Sequence, residues 1–167
     1  MDTDAVTTET LVRACELANI VAIKDWSLDI ATYENNFRAR RALGRPISVL
    51  SSFSTNLLPS LAIGADGILS GHGSVIADLQ ADLLRLVQGG EMAAAGELYG
   101  RIQILTAAVC RSPMVNMYTR MKEQLVMLGR LDSAHVRTPL TPLSDRERGE
   151  LRRSLVEAGL LEPAQVA

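Results

Sequence analysis

The chain has 167 residues, enough for one domain or for one domain with an appendage. Its composition, 47% hydrophobic and 22% charged, is that of a chain that buries a real core, and a net charge of −2 offers no general attraction to nucleic acid or to an anionic membrane. No apolar run approaches the ~20 residues needed to span a bilayer, and the acidic Met1-Asp2-Thr3-Asp4 lacks the form of a signal peptide, so a cytoplasmic location is expected.

Thr8 is a candidate cap for a first helix through about Ala18, with Leu11, Val12, Cys15 and Ala18 on one face. The run Ile20-Val21-Ala22-Ile23 then reads as a strand buried on both faces, and it delivers Lys24 at its end. Asp29 caps a second helix that Gly44 stops, and Pro46 introduces a second strand, Ile47–Leu50. A third helix covers roughly Thr55–Ile63. Gly64-Ala65-Asp66-Gly67 turns the chain into the strand Ile68-Leu69-Ser70, and Gly71-His72-Gly73 leads to a helix opening at Ser74. Short connections in an α-β-α-β-α-β-α rhythm imply right-handed crossovers and a parallel sheet, an α/β fold.

The pattern changes after Gln88-Gly89-Gly90, where no further strand appears. Glu91–Cys110 is a helix with Met92, Ala95, Leu98, Tyr99, Ile102, Leu105 and Val109 on its buried side, broken by Pro113. Met114–Leu128 is another, with a stripe of Met117, Tyr118, Met121, Leu125 and Leu128, ended by Gly129. The methionines fit core packing, or the adaptable wall of a binding groove. Ser144-Asp145-Arg146-Glu147 is a capping box for a last helix to Ala158.

Chemistry concentrates on Lys24. Of 17 basic residues only Lys24 and Lys122 are lysines. Arginine stays protonated, whereas a desolvated lysine loses its proton and attacks a carbonyl. A free lysine titrates near about 10.4, so such a role asks for burial. Two readings of Lys24 stand side by side: an amine nucleophile at the carboxyl end of a strand, where α/β folds place their sites, or a cation snorkelling beside Asp25. Alternation turns the Asp25 side chain away from that of Lys24. Gly71-His72-Gly73-Ser74 presents N–H groups to an anion or is simply a tight turn, with His72 expected on a solvent-exposed loop rather than facing the barrel mouth. Cys15 and Cys110 read as buried free thiols, and neither they nor His72 and His135 have metal-ligand spacing. No metal and no cofactor is expected.

I-V-A-I-K-D, G-A-D-G-I-L-S-G, T-P-L-T-P-L-S-D and the late A-G-L-L occur in an order that resembles the dihydrodipicolinate synthase / N-acetylneuraminate lyase family, from about Thr8 to Leu161. The resemblance implies the C-terminal portion of a (β/α)8 TIM barrel, strands six to eight, followed by a C-terminal helical region. Residues 1–88 would be a partial (β/α) barrel and 89–167 the helical region. It further implies that Lys24 ends the sixth strand and forms a Schiff base with pyruvate or another 2-oxo acid. Ser52 would border that substrate, unless its hydroxyl satisfies the adjacent turn. Leu69, on the eighth strand, would contact the substrate through its backbone carbonyl.

The departures are as informative. Where the family has S-G-D-D after its seventh strand, this chain has S-S-F-S, and Trp26 and Leu28 replace small residues after the lysine. Trp26 adds a wall to the pocket or packs under the next helix. The family's G-T-T-G-E segment, which binds the substrate carboxylate, and its fifth-strand tyrosine are absent from the sequence. A full barrel takes about 250 residues and eight strands. The chain is therefore expected to be truncated, weak or inactive alone, and a homo-oligomer or the partner of a complementing N-terminal half. The alternative is a non-catalytic remnant or interaction subunit. Neither reading involves nucleic acid or a membrane.

Overall fold

A computed structural model describes residues 6–163; the acidic Met1–Asp4 stretch lies outside the described residues. Three short parallel strands, β1 (Ala22–Asp25), β2 (Ser48–Ser51) and β3 (Gly67–Ile68), form one sheet in the order β1-β2-β3. Four helices belong to this part: α1 (Thr8–Cys15), α2 (Ile30–Ala42), α3 (Leu57–Ile63) and α4 (Gly73–Gln88). The remainder is helical, with α5 (Met92–Val109), α6 (Met117–Met127) and α7 (Asp145–Glu157), and one-turn 3-10 segments at Ser54–Asn56 and Met114–Asn116 precede α3 and α6.

Local chemistry sets the boundaries. Thr7, rather than Thr8, caps α1 by accepting from the Thr10 N–H at 3.2 Å. That helix stops at Cys15, short of Ala18, because the Arg45 guanidinium takes the freed carbonyls of Cys15, Leu17 and Ala18. Asp29 caps α2, its carboxylate accepting from the Thr32 N–H at 2.8 Å. Gly64 ends α3 at φ 121°, where a Cβ would stand 2.8 Å from Phe37 Cζ; neither the backbone nor the space admits a side chain there. Ser144 and Glu147 form the reciprocal capping box at α7.

The register pairs Ile23 with Val49, Lys24 with Leu50, Asp25 with Ser51, and Leu50 with Gly67. In-register residues of parallel strands share a face, so the sheet has two distinct sides. Val49 and Ser51 face the helices: Val49 is buried in the core and Ser51 accepts a hydrogen bond from Ser60 of α3 at 2.6 Å. Lys24, Leu50 and Gly67 share the opposite side. The first strand is not buried on both faces as its apolar run suggests, since Val21 is 69% exposed and in β1 only Asp25 is buried. Sequence polarity reports what a strand is suited to pack against, and here Ala22 and Lys24 also stay exposed.

The core is continuous across Gly89-Gly90. Val49, Leu57, Leu61 and Leu83 belong to the same apolar cluster as Ile102, Leu105 and Leu151. The expected stripe on α6 is only half observed: Met121 is buried, but Tyr118 is 52% exposed and the helix instead buries Thr119, Arg120 and Gln124 completely. No helix among the described residues is long and apolar enough to cross a membrane.

Candidate functional site

The carboxyl ends of all three strands open into one cavity of about 180 Å³. From β1 and the turn after it come Lys24 and Trp26. Ser52, Phe53 and Ser54 follow β2, and Ser70, Gly71 and His72 follow β3. The opposite wall is helical: Val109 and Cys110 at the end of α5, then Met114, Met117, Tyr118 and Met121.

Lys24 reaches this cavity because strand alternation sends its side chain away from α2 and α3. It is exposed, so the desolvation that Schiff-base chemistry asks of its lysine is not provided by the described residues. Asp25, one residue on, is buried on the other side, accepting from the Ser27 N–H at 2.7 Å and the Asn36 amide at 3.3 Å. It fixes the turn after the strand. Ser52 is buried in the cavity wall and its N–H donates to the Asp25 carbonyl at 2.9 Å, continuing the β1–β2 ladder. Leu69 is exposed and donates its N–H to Ser51 O at 2.8 Å. The cavity thus brings Lys24 and Ser52 together, while Leu69 is not part of its lining.

His72 is a correction. It is 3% exposed rather than on a solvent-exposed loop, and Nε2 lies 3.2 Å from Oε1 of the fully buried Gln124. Burial lowers its pKa to about 4, against a smaller opposing effect of the Gln124 bond, so the ring is neutral at pH 7. The glycine turn around it is not an open anion cradle: the Gly73, Ser74 and Val75 N–H groups donate to the carbonyls of Ser70, Gly71 and His72. Cys110, expected buried, is half-buried in the cavity wall, and burial raises its thiol pKa.

Trp26 stands as a wall, its ring 6.4 Å from that of Phe53 in an edge-to-face arrangement. Sequence reading did not place Tyr118 or Phe53 at the site. The signal available for Tyr118 was its stripe with Met117 and Met121, which marks a shared face without saying whether that face meets core or cavity. The helical wall is held by Arg120, whose guanidinium donates to the carbonyls of Val109, Arg111, Ser112 and Pro113. Among the described residues no group of three or more His, Cys, Asp or Glu side chains converges to hold a metal ion.

A 4-hydroxy-tetrahydrodipicolinate synthase of Nitrobacter hamburgensis is 33% identical over 153 residues, 92% of this chain and 49% of that protein. Among solved structures, a dihydrodipicolinate synthase from Bacillus anthracis is 31% identical with a TM-score of 0.79, over 90% of this chain and 49% of its own. One from Acinetobacter baumannii, complexed with pyruvate, is 26% identical with a TM-score of 0.77, over 93% and 51%. The chain spans about half the length of the curated relatives it matches. Its three strands and following helices are the C-terminal portion of a (β/α)8 barrel, strands six to eight with the C-terminal helices. The family model for the dihydrodipicolinate synthetase family matches residues 3–158, and the chain belongs to that family.

Proposed function

We propose that Lys24 is the Schiff-base lysine of a lyase or aldolase acting on pyruvate or a related 2-oxo acid. The observation that carries this reading is the position of Lys24: it stands one residue before the carboxyl end of β1, faces away from α2 and α3, and lines the strand-end cavity together with Ser52. In the reaction the neutral amine adds to the ketone carbon, water leaves, and an imine forms. Loss of one C3 proton to solvent gives an enamine, whose carbon bonds to the carbonyl carbon of a second substrate as that oxygen takes up a proton. Water then hydrolyses the imine, releasing product and the free amine; cleavage is the reverse. Ser52 is the hydrogen-bonding neighbour of the bound oxo acid, and the Leu69 backbone carbonyl, outside the cavity lining, is its second contact in this reading.

Pyruvate with borohydride tests this. A reduced adduct is expected on Lys24 alone, and Lys24→Arg abolishes it while keeping the charge. Lys122, whose ammonium donates to the His135 carbonyl at 2.6 Å, should stay unmodified. An adduct on Lys122, or equal labelling of both lysines, overturns the assignment. Turnover by the chain alone is expected to be slight, because the carboxylate-binding G-T-T-G-E segment and the proton-relaying tyrosine are not in its sequence. A general acid–base group by itself is worth about 10²–10⁴-fold.

A second reading is favoured by the exposed apolar residues flanking β1, Val21 before it at 69% and Leu28 after it at 64% exposed. There the chain is an interaction subunit that pairs with a polypeptide carrying the other half of the barrel. Co-expression with such a half, followed by assay for restored turnover, separates the two readings. Restored activity that depends on Lys24 favours catalysis, and a stable complex without activity favours the structural role.

A further inference from the structure

The helical wall opposite Lys24 has a character that Schiff-base formation does not call for. Trp26 and Phe53 meet edge to face on the strand side, and Met114, Met117, Tyr118 and Met121 face them from α6 and the 3-10 turn before it. On the wall this chain supplies, Lys24 is the sole cation: the other polar lining groups are hydroxyls, a thiol, the Trp26 indole N–H and the His72 imidazole, which burial holds neutral. With Lys24 committed to the imine, a carboxylate on a second substrate would meet no further cationic side chain on this wall and would lose hydration against thioethers and ring faces. An aromatic ring would gain contacts with ring edges and with polarizable sulfur.

From this wall we infer that the second carbonyl substrate is an apolar, aryl-bearing aldehyde, seated between the Trp26–Phe53 pair and the Met117–Tyr118 face, rather than an acidic semialdehyde. The inference rests on the Schiff-base reading for the role of the bound aldehyde as reaction partner. The cavity, about 180 Å³, has room for a single substituted benzene ring beside the strand ends. Exposure of Tyr118 at the rim leaves a path for such a ring to enter.

Trp26 is the only tryptophan in the chain, so its emission reports occupancy of this wall directly. The measurement is made on the full chain carrying Lys24→Arg, which cannot trap an aldehyde covalently, and compares benzaldehyde with succinic semialdehyde. The expected result is saturable quenching by benzaldehyde at concentrations about tenfold lower than for the acidic aldehyde, a difference of roughly 1.4 kcal/mol. Phe53→Ser and Tyr118→Ser, each checked for unchanged circular dichroism, should weaken benzaldehyde binding by about tenfold. Equal response to the two aldehydes, non-saturable quenching, or indifference to both substitutions overturns the inference. Pyruvate trapping on wild-type Lys24 is run alongside. Trapping without aryl preference overturns the aryl inference and leaves the Schiff-base reading standing. Aryl preference without trapping overturns the Schiff-base reading, and with it the part of the aldehyde as reaction partner.

Discussion

Arg120 and His72 show how much of this site is held by single buried polar residues. Arg120 is 0% exposed and donates to four carbonyls of the segment joining α5 to α6, the segment that presents Cys110 and Met114 to the cavity. Arg120→Met keeps most of the volume but leaves those carbonyls without a donor, and a loss of about 3–5 kcal/mol in urea unfolding is expected. His72 gives a pH signature. Its pKa is about 6.5 when unfolded and is lowered to about 4 in the fold by burial. The unfolded chain therefore binds a proton that the folded chain does not, throughout that window. The stability contributed by the neutral ring is complete above pH 6.5 and is lost as pH falls toward 4, by about 3 kcal/mol. Unfolding curves for His72→Asn, which keeps a donor for Gln124, should be flatter over pH 4–6.5 than those of wild type; parallel curves would show that the ring is protonated in the fold. Neither residue is conspicuous in the sequence. An arginine or a glutamine in an amphipathic helix reads as a solvated side chain, and only the surrounding backbone shows that Arg120 caps a loop and Gln124 grips a histidine.

Among elements, helix ends were legible and strand limits less so. Asp29, Ser144 with Glu147, and the glycines after α2, α3 and α7 all mark boundaries through chemistry confined to a few residues. Ser144→Ala should remove the side-chain half of the α7 box and cost about 1 kcal/mol, read as a shifted urea midpoint with unchanged slope. Strand limits depend on the partner strand. The apolar run begins at Ile20, but the ladder begins at Ala22 and runs to Asp25 because that is where β2 lies alongside. The face of a helix is similarly decided by what it meets. Met117, Tyr118 and Met121 share one side of α6 and all three line the cavity, yet Met121 is buried, Met117 packs partly on the core and Tyr118 is left exposed.

At the scale of the molecule the sheet and the helical region are unequally supported. Ala95, Ile102 and Leu105 of α5 are completely buried, whereas among the described residues β1 has a neighbouring strand only on its β2 side. Fully burying a large apolar side chain is worth about 1.5–3 kcal/mol, and an uncovered strand edge invites pairing with another chain. The chain alone is expected to self-associate, and hydrogen exchange should find its slowest amides in α5 and its faster ones at Ala22–Asp25. A monodisperse monomer whose slowest amides lie in β1 would run against this.

The residues by themselves determined the parallel α/β rhythm, the family resemblance and the position of Lys24 at a strand end. These follow from periodicity, turn chemistry and the order of motifs, all local properties of the chain. Tertiary structure alone decided that His72 turns inward to Gln124, that Tyr118 joins Trp26 and Phe53 at the cavity, and that the apolar first strand lies open on one side. Each of those outcomes depends on which distant segment arrives beside a residue. A residue's polarity limits its possible partners, but tertiary packing brings Gln124 to His72 across a separation of 52 positions.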